Sequence, residues 1–208
     1  TRAINMTREV INVTKKDVKI YIPIILLTLI QFYIGLLSIL FIDYVKSYLN
    51  LSSTATSWIL IFPLMIGLSL GTYFLKITNK KIGRGTIISI GTLLFGLTIL
   101  LLGIFSEILT AKMALKTITL LASTFVGISA VLISVHARTI LQEHTPENML
   151  GRVFALVTVA ASAAIPVPIL LVALITEKVN TGYIFLGFGV FSLMLAALLK
   201  KVLNNHIH

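Results

Sequence analysis

The side chains that could do chemistry in this chain are few, and they stand apart from one another. Nucleophilic catalysis needs a hydroxyl or thiol beside a base, and metal chemistry needs clustered His, Cys or carboxylate ligands. There is no cysteine, and serines are plentiful, but only His136 approaches their depth in an apolar stretch. His206 and His208 lie at the tail and read as incidental. Neither an HExxH helix motif nor a glycine loop of the Walker type occurs. Catalysis inside a membrane is therefore not expected, and neither is a metal or a cofactor. A channel would need a filter loop or a charged ring, and neither is visible.

What remains is a set of small and polar residues at helical spacing. Thr28, Gln31, Gly35 and Ser38 follow one another at intervals of three, four and three, which puts them on one helix face. Tyr33 is two positions from Gln31, so the two need not point the same way. Ser123, Gly127, Ala130 and Ser134 make a second stripe, and Pro63, Gly67 and Gly71 a third that ends in GxxxG. Further stripes are Ser89, Thr92, Gly96 and Gly103, and Gly182, Gly189, Ser192 and Ala196. Two readings are open for each: helix packing through small residues, or a face that lines a solvent or substrate cavity. Gln31 gives the cavity reading most weight, because its amide cannot face lipid without losing its partners. Thr28, Gln31, Tyr33, Ser38, Ser123, Gly127 and Ser134 are the candidate cavity residues.

The elements that must position them follow from composition. The chain has 208 residues, 57% hydrophobic and 12% charged, with a mean hydropathy of +1.03. Soluble domains carry roughly 25% charged residues, so a soluble domain, a disordered chain and a disulfide scaffold are all excluded. Six apolar stretches, at about 20–42, 54–75, 85–106, 115–137, 149–175 and 180–201, are each long enough to cross a bilayer. Ile24 to Ile30 does not alternate as a barrel strand would. The expected fold is an all-α membrane protein of six transmembrane helices. Residues 1–19 read as a basic linker, 20–203 as the membrane unit and 204–208 as a tail. The first residue is Thr1, so a fragment or a processed product is expected.

The net charge of +10 is explained by sidedness. Of the 17 Lys and Arg residues, only Lys46, Lys112, Lys116 and Lys178 fall at one end of the spans. The rest, including Lys76, Lys80, Lys81, Arg84, Arg138 and Arg152, gather at the other. Cytoplasmic loops carry that excess, so both termini are expected in the cytoplasm. Cations split among loops do not make a nucleic-acid surface.

Thr145-Pro146-Glu147-Asn148 reads as a helix start, with Thr145 as its cap. Pro166 and Pro168 each remove a backbone donor, so a kink or unwound turn is expected there. No Asp, Glu, Lys or Arg lies in the middle of a span; Asp43, Glu107 and Glu177 are at outer ends. A titrating carboxylate for proton coupling would then belong to another part of a larger chain. His136 and Arg138 read as interfacial anchors.

The layout resembles the C-terminal half of a major facilitator superfamily transporter. One carrier is the loop after the second span, from Gly71 through Lys76 to Asn79-Lys80-Lys81-Ile82-Gly83-Arg84, with Asn79 where the family has an acid. A more specific one is Pro146-Glu147-Asn148-Met149-Leu150-Gly151-Arg152-Val153-Phe154, which is similar to drug-efflux branches. The basic segment Thr1 to Lys19 looks like the end of a central cytoplasmic loop. The resemblance implies two inverted three-helix repeats, spans one to three and four to six, and a partner N-terminal half of six helices. It implies alternating access for small amphipathic molecules in the cytoplasmic membrane, nearest to macrolide-efflux and siderophore-export permeases. Gly71, Lys80, Lys81, Gly83, Arg84, Gly151 and Arg152 would belong to its cytoplasmic gate or loop motif. A six-helix scaffold or assembly subunit that transports nothing is the alternative.

Overall fold

The computed structural model describes residues 17–49, 53–78, 83–109, 111–176 and 179–206. Among these every regular element is helical. Helix α1 spans Val18–Tyr44 and continues as a π-helical turn, Val45–Leu49. Helix α2 is Ser53–Thr78, α3 is Arg84–Ile108 and α4 is Lys112–His144. A 3₁₀ turn, Glu147–Met149, leads into α5, Leu150–Ala164, which is followed by α6, Pro166–Thr176, and α7, Thr181–His206. These elements make six spans, each long and apolar enough to cross a membrane. Helices α5 and α6 together form the fifth.

Local chemistry sets the boundaries. Asp17 opens α1 as its N-cap, accepting from the Lys19 amide at 2.9 Å. Thr145 does not open the next helix as its position suggested. It is extended (φ −91°, ψ 127°) and closes α4, with its hydroxyl donating back to the Leu141 carbonyl at 2.6 Å. The cause is Pro146, whose ring disfavours helical backbone at the residue before it. The fifth span breaks at Ile165, between Ala164 and Pro166. Pro166 and Pro168 cannot donate to the carbonyls of Ser162 and Ala164, which costs two bonds of the ladder.

Spans pair in a symmetric pattern. The second span packs on the fourth, as the fifth packs on the first. The first packs on the fourth, and the third on the sixth. Exchanging spans one to three with spans four to six preserves each of these pairings, as two repeats related by a twofold require. Glycines permit the closest crossings. A Cβ on Gly127 of α4 would stand 2.5 Å from the Leu64 carbonyl of α2, and one on Gly67 would strike the Thr124 carbonyl. The equivalent contact in the other repeat joins Gly35 of α1 to the Ile165 carbonyl.

Two large apolar clusters, and a small third one of Leu75, Ile87 and Val131, fill the bundle among the described residues. One gathers Leu36, Leu40, Tyr44, Phe95, Leu102 and Phe185 toward the end away from the basic residues. The other gathers Ile20, Leu26, Ile88, Ile140, Leu141 and Val153 toward the basic end. Burial is uneven. The first, third and fourth spans are half or more buried along their apolar windows, whereas the second is 28% and the fifth 17% buried.

Candidate functional site around the middle of α1

The middle of α1 holds four of the candidate residues. Gln31 and Thr28 are half-buried, Ser38 is exposed and Tyr33 is buried. Thr28 donates to the Ile24 carbonyl at 2.8 Å and Ser38 to the Ile34 carbonyl at 2.6 Å. Each hydroxyl has spent its one proton inside its own helix and keeps lone pairs that can accept. Gly35, between them in the stripe, is not open to a cavity; it is filled by the backbone of Ile165.

Tyr33 turns the other way from the exposed edge of α1. Its ring packs on Phe95 of α3 at 4.5 Å between centroids. Its hydroxyl lies 2.7 Å from Ser192 Oγ of α7. Ser192 already donates to the Phe188 carbonyl at 2.7 Å, so Tyr33 is the donor of that bond. The tyrosine therefore ties α1 to the pair α3 and α7.

The α4 stripe divides. Gly127 is a packing residue against α2, and Ser123 is fully buried. Ser123 Oγ is the buried side-chain polar atom without a hydrogen-bond partner among the described residues. Its neighbours Thr119, Thr124 and Ser129 all bond carbonyls four residues back. Ala130 and Ser134 are half-buried. Ala130 borders a crevice of about 50 Å³ between α1, α3 and α4, walled by Leu26, Ile30, Tyr33, Phe95 and Ile133.

At the basic end, Arg84 at the start of α3 forms an ion pair with Glu143 near the end of α4. Sequence reading placed Arg84 in the loop motif and gave Glu143 no role; 59 residues separate them, so no local spacing signals the pair. Gly83 caps α3 with room beside it, and Gly71 packs against Ile128 and Val131 of α4. Gly151 and Arg152 are exposed at the start of α5, and nothing lies within 4 Å of a Cβ on Gly151. Lys80 and Lys81 lie outside the described residues. His136 is buried among the helices, with Nδ1 3.0 Å from the Leu132 carbonyl.

At the opposite end a second polar group ties the helices. Tyr48 of the π turn donates to Glu107 of α3 at 2.7 Å, and Thr181 of α7 donates to Asp43 of α1. Tyr44 stacks on Tyr48 at 5.1 Å, with its hydroxyl 3.4 Å from Thr119 of α4. Asp43 and Glu107 were read only as outer-end charges; the π turn that brings Tyr48 to Glu107 has no mark in the sequence.

The described residues form a six-span helical bundle with repeat-related pairing, an interrupted fifth span and polar groups edging the first span. The chain matches the family model "Major Facilitator Superfamily" over residues 24–206, and it belongs to that family. It is a membrane protein of a family of secondary transporters. Comparison with curated proteins and with solved structures returned no match.

Proposed function

We propose that this chain forms one six-helix half of a transporter that moves small amphipathic molecules outward across the cytoplasmic membrane by alternating access. The observation that carries this reading is the exposed edge of α1. Ile34 and Ser38 are exposed there and Gln31 is half-buried, near the middle of a 27-residue helix. An amide at that depth is costly against lipid, and it is accommodated by water or by a polar group across an interface. The two least buried spans, α2 and the pair α5 and α6, pack on α4 and on α1, the helix that carries that edge. Their bare apolar faces fit a second six-helix half. The basic end, with Arg84 and Arg152, then faces the cytoplasm, and the Arg84–Glu143 pair orders the gate there.

The mixture of an amide, hydroxyl lone pairs and hydrocarbon suits an amphipathic cargo better than an ion or a polyol. The test is flux of dyes, antibiotics and siderophores by the full-length protein that carries this chain. Gradient-dependent movement of at least one compound is expected, and movement of none would overturn the reading.

A further inference from the structure

The crevice between α1, α3 and α4 has an almost wholly apolar wall. Its volume is about 50 Å³. Two polar side chains reach its wall, and the hydroxyl proton of each is spent elsewhere, which leaves only lone pairs that accept. Thr92 donates to the Ile88 carbonyl at 2.9 Å, and Tyr33 donates to Ser192. A buried water needs two to four polar partners, and a wall that exposes almost no polar surface offers too few. Its mouth is marked by Ile34, which is 50% exposed on the same edge of α1 as Gln31. Its floor is the tilted pair Tyr33 and Phe95.

We infer that this crevice is an apolar subsite that receives a short alkyl group or the edge of a small aryl group. Sites for whole drug-sized ligands have roughly 300–1,000 Å³, so this one takes a substituent and leaves the rest of the molecule outside. Gln31 is not part of the wall but stands three residues before Ile34 on α1, with an amide that can hydrogen-bond a polar headgroup. The arrangement selects molecules with a hydrocarbon arm next to a polar body. As a subsite for cargo, it rests on the transporter reading above. A lipid acyl chain offers the same hydrocarbon chemistry, so the test separates the two sources.

The test uses the full-length protein in phosphatidylcholine nanodiscs and a short aliphatic alcohol bearing a diazirine, with labelled residues located by mass spectrometry. Label is expected on Ile34, Ala130 or Ile133, and Ala130→Leu should lower it roughly tenfold or more, since one methylene in an apolar pocket is worth roughly 10- to 200-fold. Ile133→Ala enlarges the crevice and should raise labelling by a phenyl-substituted diazirine by a similar factor, which keeps the test decisive if Ala130→Leu fails to fold. Absence of label, or label unchanged in the variants, overturns the inference. A compound that the protein transports should suppress the label. Suppression by added phospholipid alone would make the crevice a lipid site and overturn its role as a cargo subsite. Absence of all flux with the crevice still labelled would instead overturn the transporter reading.

Discussion

Gly35 of α1 lies against the backbone carbonyl of Ile165, the residue at which the fifth span is interrupted. The glycine and the proline-induced break are two parts of one joint. Pro166 and Pro168 remove two donors from the ladder, and the missing side chain at position 35 lets the Ile165 backbone seat on α1. The joint sits beside Ile34 and below Ser38, on the helix that carries the polar edge.

A side chain at this joint should therefore be costly. Gly35→Val is expected to destabilise the protein by about 1–3 kcal/mol through overpacking. Gly187→Ala, at an exposed glycine with nothing within 4 Å of an added Cβ, should cost nothing measurable. Thermal unfolding of the purified protein in detergent compares the two. Equal midpoints would show that the Gly35 contact does not hold the spans together.

The Arg84–Glu143 pair is expected to matter for movement more than for stability. Its side chains are 42% and 47% exposed, so the pair is screened and should contribute only about 0.2–1 kcal/mol. Arg84→Gln or Glu143→Gln alone should slow transport with little change in unfolding temperature. The exchanged pair, Arg84→Glu with Glu143→Arg, should recover part of the lost rate. If the exchanged pair is as impaired as either single variant, the two residues do not act through each other.

Gln31→Leu separates cavity from packing. Membrane insertion should stay normal and flux should fall roughly tenfold, the effect of losing about 1.4 kcal/mol of polar contact. Insertion is read by protease protection and flux by tracer efflux. Collapse of expression would instead mark Gln31 as a packing residue.

Ser123 and Ser192 should respond in opposite ways. Ser123 Oγ is buried without a partner, so Ser123→Ala is expected to be neutral or stabilising by up to about 1 kcal/mol. Ser192→Ala removes the acceptor of the Tyr33 hydroxyl and should cost about 0.5–1.5 kcal/mol. Chemical unfolding of both variants decides it. A marked loss of stability in Ser123→Ala would reveal a hydrogen bond at that hydroxyl.

The spans were legible because bilayer crossing demands long apolar runs, and nothing else in the chain competes with that signal. The interruption of the fifth span was legible too, since proline acts on its own backbone. Pair relationships were not. The stripe from Thr28 to Ser38 mixes a packing glycine, Gly35, with an exposed serine, Ser38, and only the neighbouring helix distinguishes them. Tyr33 shares a helix with Gln31 yet bonds to a residue 159 positions away. Thr145 is equally suited to ending one helix or beginning the next, and the proline after it decides.

The most direct measurement is gradient-driven flux by the full-length protein carrying this chain, reconstituted in vesicles and offered amphipathic dyes, antibiotics and siderophores. At least one compound is expected to move under an imposed ion gradient, and the movement should stop when an ionophore collapses that gradient. No gradient-dependent movement of any compound, from protein shown to be folded and inserted, would contradict it.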